Sequence, residues 1–400
     1  MSTKHPPCPV CAGRSIKHGT TTSSRQRWRC KECGHTFTRC HDDAGQAMWF
    51  RVFVDWLTSG ISLNTLAKIH NVSVSTLQRR FATFWYVQPP MPADPHRVYD
   101  QVFIDGTYFN TKCLLVLADC DHVISWFWGY TEDSWAYGRL LDTIAPPLIA
   151  TTDGHKGSAK AIRNTWPETK IQRCLVHVKR NIQTATGLHP TSAMGKALRR
   201  LSLELLHIDD LDQAADWTIK LQKFGQTFNT QLNEKSYVKD TPLEQIPKSK
   251  RHNKRWWYTH YTHRAAYMQL VRLSKAGHLF TYLTEKQGTI AYKSTTNSLE
   301  GGINSPIKSL LHAHRGLRDE HQRIACDWWL YTHTQHTTTD PVDIAREQNW
   351  GKDATAKATI LAHHERQTAN GHDDGRPALL DNAIDADYNH SMGIRKGTIH

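Results

Sequence analysis

The sequence predicts a mixed α/β protein that carries two small modules ahead of its main domain, and three observations lead to this prediction. Four cysteines form two closely spaced pairs near the start, and two short helical stretches follow them. A proline-rich segment at residues 88–95 (QPPMPADP) then breaks helical continuity and indicates a linker. Beyond it, apolar runs of strand length alternate with helical patterns, which is typical of an α/β domain.

Composition and charge limit the kinds of protein and partner that the sequence allows. The 400 residues include 50 Lys and Arg against 37 Asp and Glu, a net charge of +13, and 39% of the chain is hydrophobic. Such a chain is globular, and its positive charge favours a polyanionic partner, either nucleic acid or an anionic membrane surface. The longest apolar runs have strand length and the opening residues are polar. We therefore expect neither a membrane span nor a signal peptide.

The first module, residues 1–41, has the spacing of a zinc ribbon. Cys8 and Cys11 form one C-x2-C pair, and Cys30 and Cys33 form another. Two such turns supply four thiolates, the closed tetrahedral shell of one structural Zn²⁺. A redox cysteine pair is the alternative. Basic residues interleaved with Trp28 suit phosphate contact, although a solvated basic face would look the same. The candidate DNA-binding residues of this module are Arg25, Arg27 and Arg29.

The second module, residues 42–90, contains a predicted helix-turn-helix at Ile61–Trp85. Asn71 sits where the turn needs a left-handed residue, and Ser73 can cap the second helix. We expect Leu63, Leu66, Ala67 and Ile69 to face inward from the first helix, and Leu77 and Phe81 from the second. A helical pair used only for packing is the alternative. The residues left facing outward, and suited to base edges and phosphates, are Ser75, Thr76, Gln78, Arg79 and Arg80.

The order of elements after the linker is that of an RNase H-like core. Three strands, a helix, a strand, a helix and a fifth strand are predicted in turn. They lie at Val98–Phe109, Cys113–Cys120, Val123–Tyr130, Glu132–Ile144, Leu148–Thr152, Ser158–Thr165 and Lys170–Cys174. We assign the first part of this core to residues 96–177, an all-helical insertion to 178–290 and a returning helical part to 291–335. Residues 336–400 are expected to form an irregular tail.

Three acids are candidates for metal-dependent catalysis. Asp105 and Asp153 each end an apolar strand, and Glu300 begins a helix. A bare carboxylate beside a core is costly unless a cation or another partner compensates it. Three such acids can hold two Mg²⁺ ions for in-line phosphoryl transfer. Strand-end Asp residues are also common turn formers, and Asp119 is the main rival acid.

These residues together resemble the DDE transposases of the Mutator superfamily, in the zinc-ribbon-bearing bacterial branch. The resemblance covers roughly residues 5–335 and implies that Asp105, Asp153 and Glu300 are the catalytic, magnesium-binding triad. A C-x2-H pair follows the second Asp, and the Glu lies in an N-x2-E-G context. The resemblance implies that Cys174, His177 and Asn297 support the active site, with metal ligation by the first two as an alternative. The insertion before Glu300 is long, and the tail matches no part of the family pattern.

A basic and aromatic stretch, residues 248–264, interrupts the insertion (KSKRHNKRWWYTHYTHR). Lys and Arg side chains can bind the phosphates of a nucleic acid while aromatic rings stack on its exposed bases. A helix that buries its Trp pair beneath a solvated basic face explains the same pattern. The candidate DNA-binding residues here are Lys254, Arg255, Trp256 and Trp257.

The predicted function is DNA transposition. The chain would bind the terminal inverted repeats of an insertion sequence and a target DNA, nick DNA, and join a 3′-OH to another phosphodiester with two Mg²⁺ ions. Because paired ends need two active sites, we expect a homodimer or a larger assembly on DNA. The resemblance implies a bacterial cytoplasmic, nucleoid-associated location. The alternatives are a domesticated, non-catalytic DNA-binding regulator and an RNase H-like nuclease.

Overall fold

The structure is a computed structural model, and the mixed α/β class predicted from the sequence is confirmed. It describes residues 5–8, 10–11, 13–22, 24–38, 43–109, 111–246, 255–284, 291–335 and 339–370. Lys254 lies outside the described residues, as does the tail beyond residue 370.

Helices and strands are labelled in chain order. The strands are β1 (Ser15–Thr20), β2 (Gln26–Cys30), β3 (Thr36–Thr38), β4 (Gln101–Phe109), β5 (Lys112–Ala118), β6 (Val123–Gly129), β7 (Ile149–Thr152), β8 (Lys170–Arg173), β9 (Lys235–Tyr237) and β10 (Trp256–Tyr258). The helices up to the middle of the chain are α1 (Asp43–Ser59), α2 (Leu63–Ile69), α3 (Val74–Phe81), α4 (Ser134–Leu141), α5 (Lys156–Thr165), α6 (Leu175–Thr186), α7 (Ala193–Glu204) and α8 (Leu211–Thr227). They are followed by α9 (Asn229–Asn233), α10 (Tyr261–Lys275), α11 (Thr281–Thr284), α12 (Asn297–Leu299), α13 (Ser305–Ala313), α14 (Asp319–Thr332), α15 (Pro341–Glu347) and α16 (Lys352–Asn370). A π-helical turn, Glu300–Asn304, joins α12 to α13, and short 3₁₀ turns lie at Phe84–Tyr86, Leu205–His207, Val238–Asp240, Leu243–Gln245 and Asn349–Gly351.

The chain divides into two compact units. The first comprises Met1–Pro89, Gly316–Trp328 and Thr339–His400, and the second comprises Pro90–Arg315 and Trp329–Thr338. Among the described residues, no helix combines the length and the apolar character needed to cross a bilayer.

The second unit is organised on a five-stranded sheet with the order β6-β5-β4-β7-β8. Strands β4, β5 and β6 pair antiparallel, as expected for strands joined by short turns, whereas β7 and β8 continue the sheet in parallel beyond β4. The strands and helices of this region follow the order predicted from the sequence, with ends shifted by a few residues. The central strand of the sheet is therefore β4, which carries Asp105.

Apolar side chains alternate along the central strands and build a core on one face of this sheet. Val102 and Ile104 point to that face, where they meet Tyr137 and Leu140 of α4 and Ile162 of α5. With two residues per repeat, Asp105 is directed to the opposite face from Ile104. A second core joins α6, α7, α8 and α10 through buried leucines, Trp217 and Phe224.

The insertion was predicted to be all-helical, and this prediction is wrong. Strands β9 and β10 form a two-stranded antiparallel ribbon, with Trp257 opposite Ser236. The ribbon forms because β10 is three consecutive aromatic residues, which favour extended backbone. Trp257 is buried, while Trp256 is partly exposed beneath the ammonium of Lys235, 4.3 Å from the ring centroid.

The first unit contains the three-stranded β1-β2-β3 sheet and a helical part with an aromatic core. Phe53 of α1 packs on Phe81 of α3 with ring centroids 5.1 Å apart, and Trp56 stacks on the same ring at 5.6 Å. The tail predicted to be irregular contains α15 and α16 within the described residues. Asp340 caps α15 by accepting the N–H of Val342, so the Asp-Pro start of that helix is a capping signal rather than a break.

Helices α2 and α3 are joined by a short turn, as the sequence indicates. Ser62 and Ser73 cap the two helices by accepting N–H groups of Thr65 and Thr76, and Asn71 is left-handed with φ 51°. Leu66, Ala67, Leu77 and Phe81 are buried. The prediction for Ile69 is wrong because this side chain, in the last turn of α2, is 64% exposed.

Candidate functional site

Parallel pairing of β4 with β7 brings two of the candidate acids to one level of the sheet. Ile104 is registered with Thr152, so Asp105 and Asp153 each follow by one residue. Burial, and next the charge of Asp153, raise the pKa of Asp105 to about 7. The structure therefore places these two carboxyl groups within electrostatic reach of each other, at the carboxyl end of β7.

Both aspartates are oriented by fixed donors. Asn304 donates from Nδ2 to Asp105 Oδ2 at 2.8 Å, and the backbone N–H of His155 donates to Asp153 Oδ1 at 2.8 Å. Gly154 has φ 86°, and a Cβ there would lie 1.3 Å from the guanidinium of Arg173. Only glycine fits at position 154, because the missing side chain leaves room for the buried guanidinium of Arg173.

Glu300 opens the π-helical turn between α12 and α13. Its Oε2 pairs with the Arg180 guanidinium at 3.0 Å, and its Oε1 accepts the hydroxyl of Thr296 at 3.3 Å. His177 Nδ1 lies 3.6 Å from the same Oε1. Single π-turns recur at functional sites because they re-aim a side chain that a regular helix would direct elsewhere. The charge of Glu300 also raises the pKa of Asp105, but it contributes less than burial and the charge of Asp153.

Cys174 and His177 lie beside Glu300, as the sequence pattern indicates. The Sγ of Cys174, at the start of α6, accepts the N–H and the hydroxyl of Thr296, each at 3.3 Å. Burial would raise the pKa of Cys174, but hydrogen bonds from His177 and Thr296 outweigh it and lower that pKa. The hydrogen bond to Cys174 raises the pKa of His177. Metal-ligating atoms of Cys174, His177 and Glu300 all lie within 4.8 Å of one another.

Several residues of this site were not singled out from the sequence. They are Thr296, Asn304, Arg180 and Arg173. Asn304 follows Glu300 by four residues, so helical spacing was the available signal. By contrast, Asn297, predicted to support the site, is exposed at the start of α12. The rival acid Asp119 serves a turn, because its Oδ1 accepts the backbone N–H groups of Asp121 and His122 at 2.8 and 2.7 Å.

A separate site in the first unit unites the four N-terminal cysteines. Cys8 and Cys33 sulfurs are 3.6 Å apart, Cys11 and Cys30 sulfurs are 3.4 Å apart, and all four lie within 4.8 Å. Four thiolates on Zn²⁺ at about 2.3 Å would be about 3.8 Å apart, so the set fits a structural zinc ion. Burial raises the pKa of Cys33 to about 12, with the neighbouring thiols adding to the shift. Without a cation, the four thiols could not all be ionised together.

The basic residues of this ribbon and of α3 are exposed. In β2, Trp28 and Cys30 face inward, while Arg27 and Arg29 alternate outward. On α3, Arg80 lies over the Trp49 ring at 3.8 Å from its centroid. The candidate DNA-binding residues Arg25, Arg27, Arg29, Ser75, Gln78, Arg79, Arg80 and Arg255 are all exposed, and Thr76 is partly exposed.

Comparison with known proteins confirms the predicted resemblance. Residues 143–234 match the family model for transposases of the Mutator family. The chain is 30% identical over 133 residues to the transposase for insertion sequence element IS905 of Lactococcus lactis subsp. lactis (strain IL1403), covering 29% of this chain and 32% of that relative. It is 29% identical over 132 residues to the transposase for insertion sequence element IS6120 of Mycolicibacterium smegmatis, covering 29% of this chain and 40% of that relative. The chain thus spans about a third of the length of the curated relatives that it matches, and the family match contains Asp153, Cys174 and His177.

The cysteine cluster predicts a zinc-dependent first module. Cys30→Ser should remove about one zinc ion per chain, because three thiolates and water hold Zn²⁺ less well than four thiolates. The second unit, which has its own cores, should stay folded. Elemental analysis and thermal unfolding measure both effects. Cys120→Ser, which changes an exposed cysteine away from the cluster, is the control and should keep its zinc. If elemental analysis found no zinc in the purified wild-type protein, the assignment would be contradicted.

The pKa of Asp105 predicts a pH-dependent stability in the metal-free protein. Because its folded pKa of about 7 lies above the ordinary 3.8, the stabilisation from its protonated form is full below about pH 4 and is lost as the pH rises through 7. At pH 8, Asp105→Asn should therefore raise the free energy of unfolding by about 2–4 kcal/mol, with a smaller gain at pH 4. Denaturant unfolding in the presence of a chelator measures this free energy. The control is Glu168→Gln, which removes an exposed carboxylate. A gain that does not depend on pH would argue against this origin.

Proposed function

We propose that the chain is a DNA transposase that nicks DNA and joins strands with Asp105, Asp153 and Glu300. The observation that carries the proposal is the parallel register of β4 and β7, which brings Asp105 and Asp153 to one level of the sheet, with Glu300 four residues before the Asn304 that donates to Asp105. The match of residues 143–234 to the Mutator family of transposases supports the same reaction class. The curated relatives are named as insertion-sequence transposases, which supports insertion-sequence ends as the substrate.

The proposed catalytic domain is an RNase H-like core. Its support is the strand order β6-β5-β4-β7-β8, with three antiparallel strands followed by two parallel ones. In open α/β sheets, ligands gather at the carboxyl ends of parallel strands. Asp105 and Asp153 lie at that end of the β4–β7 pair, so the sheet presents both to a bound phosphodiester.

Mg²⁺ is the proposed cofactor, and bound there it would activate the attacking hydroxyl and stabilise the leaving oxygen. The residues fit this ion because carboxylate oxygens are its preferred protein ligands. Asp105 and Asp153 would bind the ion, and Glu300 would add a third negative charge to the site. Asn304 keeps Asp105 in position with its amide, and Thr296 keeps Glu300 in position with its hydroxyl. Arg180, half exposed and paired with Glu300, is placed to meet a DNA phosphate.

The first unit is the proposed DNA-end-binding part. Helices α2 and α3 are proposed as a helix-turn-helix with α3 as the recognition helix, and the zinc ribbon adds Arg27 and Arg29 on one face of β2. The packing of Arg80 on Trp49 leaves Arg79 as the better candidate for direct DNA contact. In the insertion, Trp256 is the candidate for base stacking, whereas the buried Trp257 packs inside the protein.

Joining two element ends requires two active sites, so we propose a homodimer or a larger assembly on DNA. A transposase of an insertion sequence acts on chromosomal DNA, which makes the bacterial cytoplasm and its nucleoid the proposed location. These proposals rest on the reaction class.

Loss of any of the three acids should abolish catalysis. Asp105→Asn, Asp153→Asn and Glu300→Gln should each lower strand transfer at least about a hundredfold, a loss of about 2.7 kcal/mol of transition-state stabilisation, because an amide cannot supply the charge. DNA binding should survive. The assay is joining of labelled element ends in Mg²⁺ or Mn²⁺.

Asp119→Asn provides the matched control for this series. Its carboxylate orders the β5–β6 turn, so the variant should retain substantial joining activity. Robust joining by Asp153→Asn, or loss of joining with Asp119→Asn beside an active Asp105→Asn, would reverse the assignment.

The helix-turn-helix proposal predicts separate roles for two neighbouring arginines. Arg79→Ala should weaken binding to element ends and lower the slope of log affinity against log salt by about one if it contacts a phosphate, or cost about 1–3 kcal/mol on the specific site alone if it contacts a base. Arg80→Ala should also lower thermal stability, since its guanidinium packs on Trp49. Arg51→Ala on α1, whose partner is Asp340, is the control for a charge change. Unchanged affinity and salt slope for Arg79→Ala would place the binding surface elsewhere.

A further inference from the structure

Cys174, His177 and Glu300 bring a sulfur, an imidazole nitrogen and a carboxylate oxygen to one place in the second unit. These three ligand atoms all lie within 4.8 Å of one another. Cys174 begins α6 and His177 follows it by three residues, about one helical turn, while Glu300 comes from the π-helical turn. The group therefore joins two distant segments of the chain, and one of its members is a proposed catalytic acid.

The histidine nitrogen and the glutamate oxygen are spaced like two ligands of one ion. His177 Nδ1 is shielded from solvent and lies 3.6 Å from Glu300 Oε1, which is too long for a hydrogen bond. A nitrogen and an oxygen that each bind one tetrahedral Zn²⁺ at about 2.1 Å would lie about 3.4 Å apart. A shift of a few tenths of an ångström would therefore place both atoms in a zinc shell.

Neighbouring donors orient two of the three ligands. The backbone N–H and the hydroxyl of Thr296 each lie 3.3 Å from Cys174 Sγ, and Thr296 is itself buried. Arg180 binds Glu300 Oε2 at 3.0 Å, which leaves Oε1 as the oxygen that faces His177. Outer partners of this kind fix the direction of metal ligands and strengthen metal binding.

The ligand types and their exposure indicate which metal the group would bind. Thiolate and imidazole together suit Zn²⁺, whereas Mg²⁺ prefers oxygen ligands. Cys174 is fully buried, but the side chains of His177 and Glu300 are 25% and 26% exposed, so an ion can enter from the solvent side. Three protein ligands with a fourth position for water is a common arrangement for zinc.

We propose that Cys174, His177 and Glu300 form a second zinc site, which regulates the catalytic centre by withdrawing Glu300 from it. The site follows from the grouping of the ligand atoms, and only its regulatory effect rests on the proposed function. With Oε1 on zinc and Oε2 on Arg180, neither oxygen of Glu300 is left for a cation at the two aspartates. The alternative, in which Cys174 and His177 only hold Glu300 in place, requires no metal.

Counting zinc tests the site without reference to activity. Wild-type protein dialysed against buffered Zn²⁺ should hold about two ions per chain, one at the N-terminal cysteines and one here. His177→Gln should bind the second ion at least about tenfold more weakly, because a ligand is lost. Cys120→Ser, which changes an exposed cysteine of the same unit, is the control and should hold both ions. One ion in the wild type, or an unchanged second ion in His177→Gln, would overturn the proposal.

Competition for Glu300 is measured by Mn²⁺ binding, followed by the electron paramagnetic resonance signal of the free ion. Zinc at the second site should weaken Mn²⁺ binding to the wild type at least about fivefold, and the same zinc should leave Mn²⁺ binding to His177→Gln unchanged. If the second zinc binds and Mn²⁺ binding does not change, the regulatory role is wrong and the zinc site stands. If the wild type binds two zinc ions but no Mn²⁺, the catalytic proposal and the regulation that rests on it fail, and the zinc site stands. Should His177→Gln not fold, Glu300→Gln takes its place in the zinc count.

Discussion

The second unit depends on one constraint, which is the confinement of like charges where the parallel pairing of β4 with β7 ends. Asp105 lies in the middle of β4, and Asp153 directly follows β7. Pairing of Ile104 with Thr152 fixes the level of Asp105 and Asp153 before either side chain is considered. Burial then makes their repulsion expensive, and this is recorded in the raised pKa of Asp105. A fold optimised for stability alone would avoid this arrangement, so its presence is an argument for a cationic ligand.

The surrounding elements orient the two aspartates with neutral donors, whereas Glu300 is paired with the Arg180 guanidinium. Asn304 and the N–H of His155 fix single oxygens of the two aspartates with neutral donors. Thr296 connects Cys174 to Glu300 because its hydroxyl lies 3.3 Å from both. The π-helical turn at Glu300 lets the acid and Asn304 serve the same site, the first toward His177 and Arg180 and the second toward Asp105. The carboxylates of the two aspartates are thus oriented by neutral hydrogen-bond donors.

Sequence could predict those parts of the structure that depend on local pattern. Strand-length apolar runs located β4 and β7, and an acid after each run marked Asp105 and Asp153. The predictions for Ile69, the all-helical insertion and the irregular tail were wrong, since burial and pairing there depend on tertiary partners. Thr296 escaped notice for the same reason, because its hydrogen bonds to Cys174 form only in the folded chain.

Two of the candidate cation sites differ in how each one is coupled to folding. The cysteine cluster belongs to a small three-stranded sheet whose buried side chains, among the described residues, include Trp28, Cys8 and Cys30, while Cys11 and Cys33 are exposed. Such a module has little apolar surface, so the binding of a zinc ion by the four cysteines would be coupled to its folding. The carboxylates instead sit on a sheet with an extensive apolar core, which can exist without a cation and is stabilised when one arrives. A zinc ion in the cysteine cluster would therefore be part of the architecture of its module, whereas a cation at the carboxylates could bind and leave without unfolding the sheet.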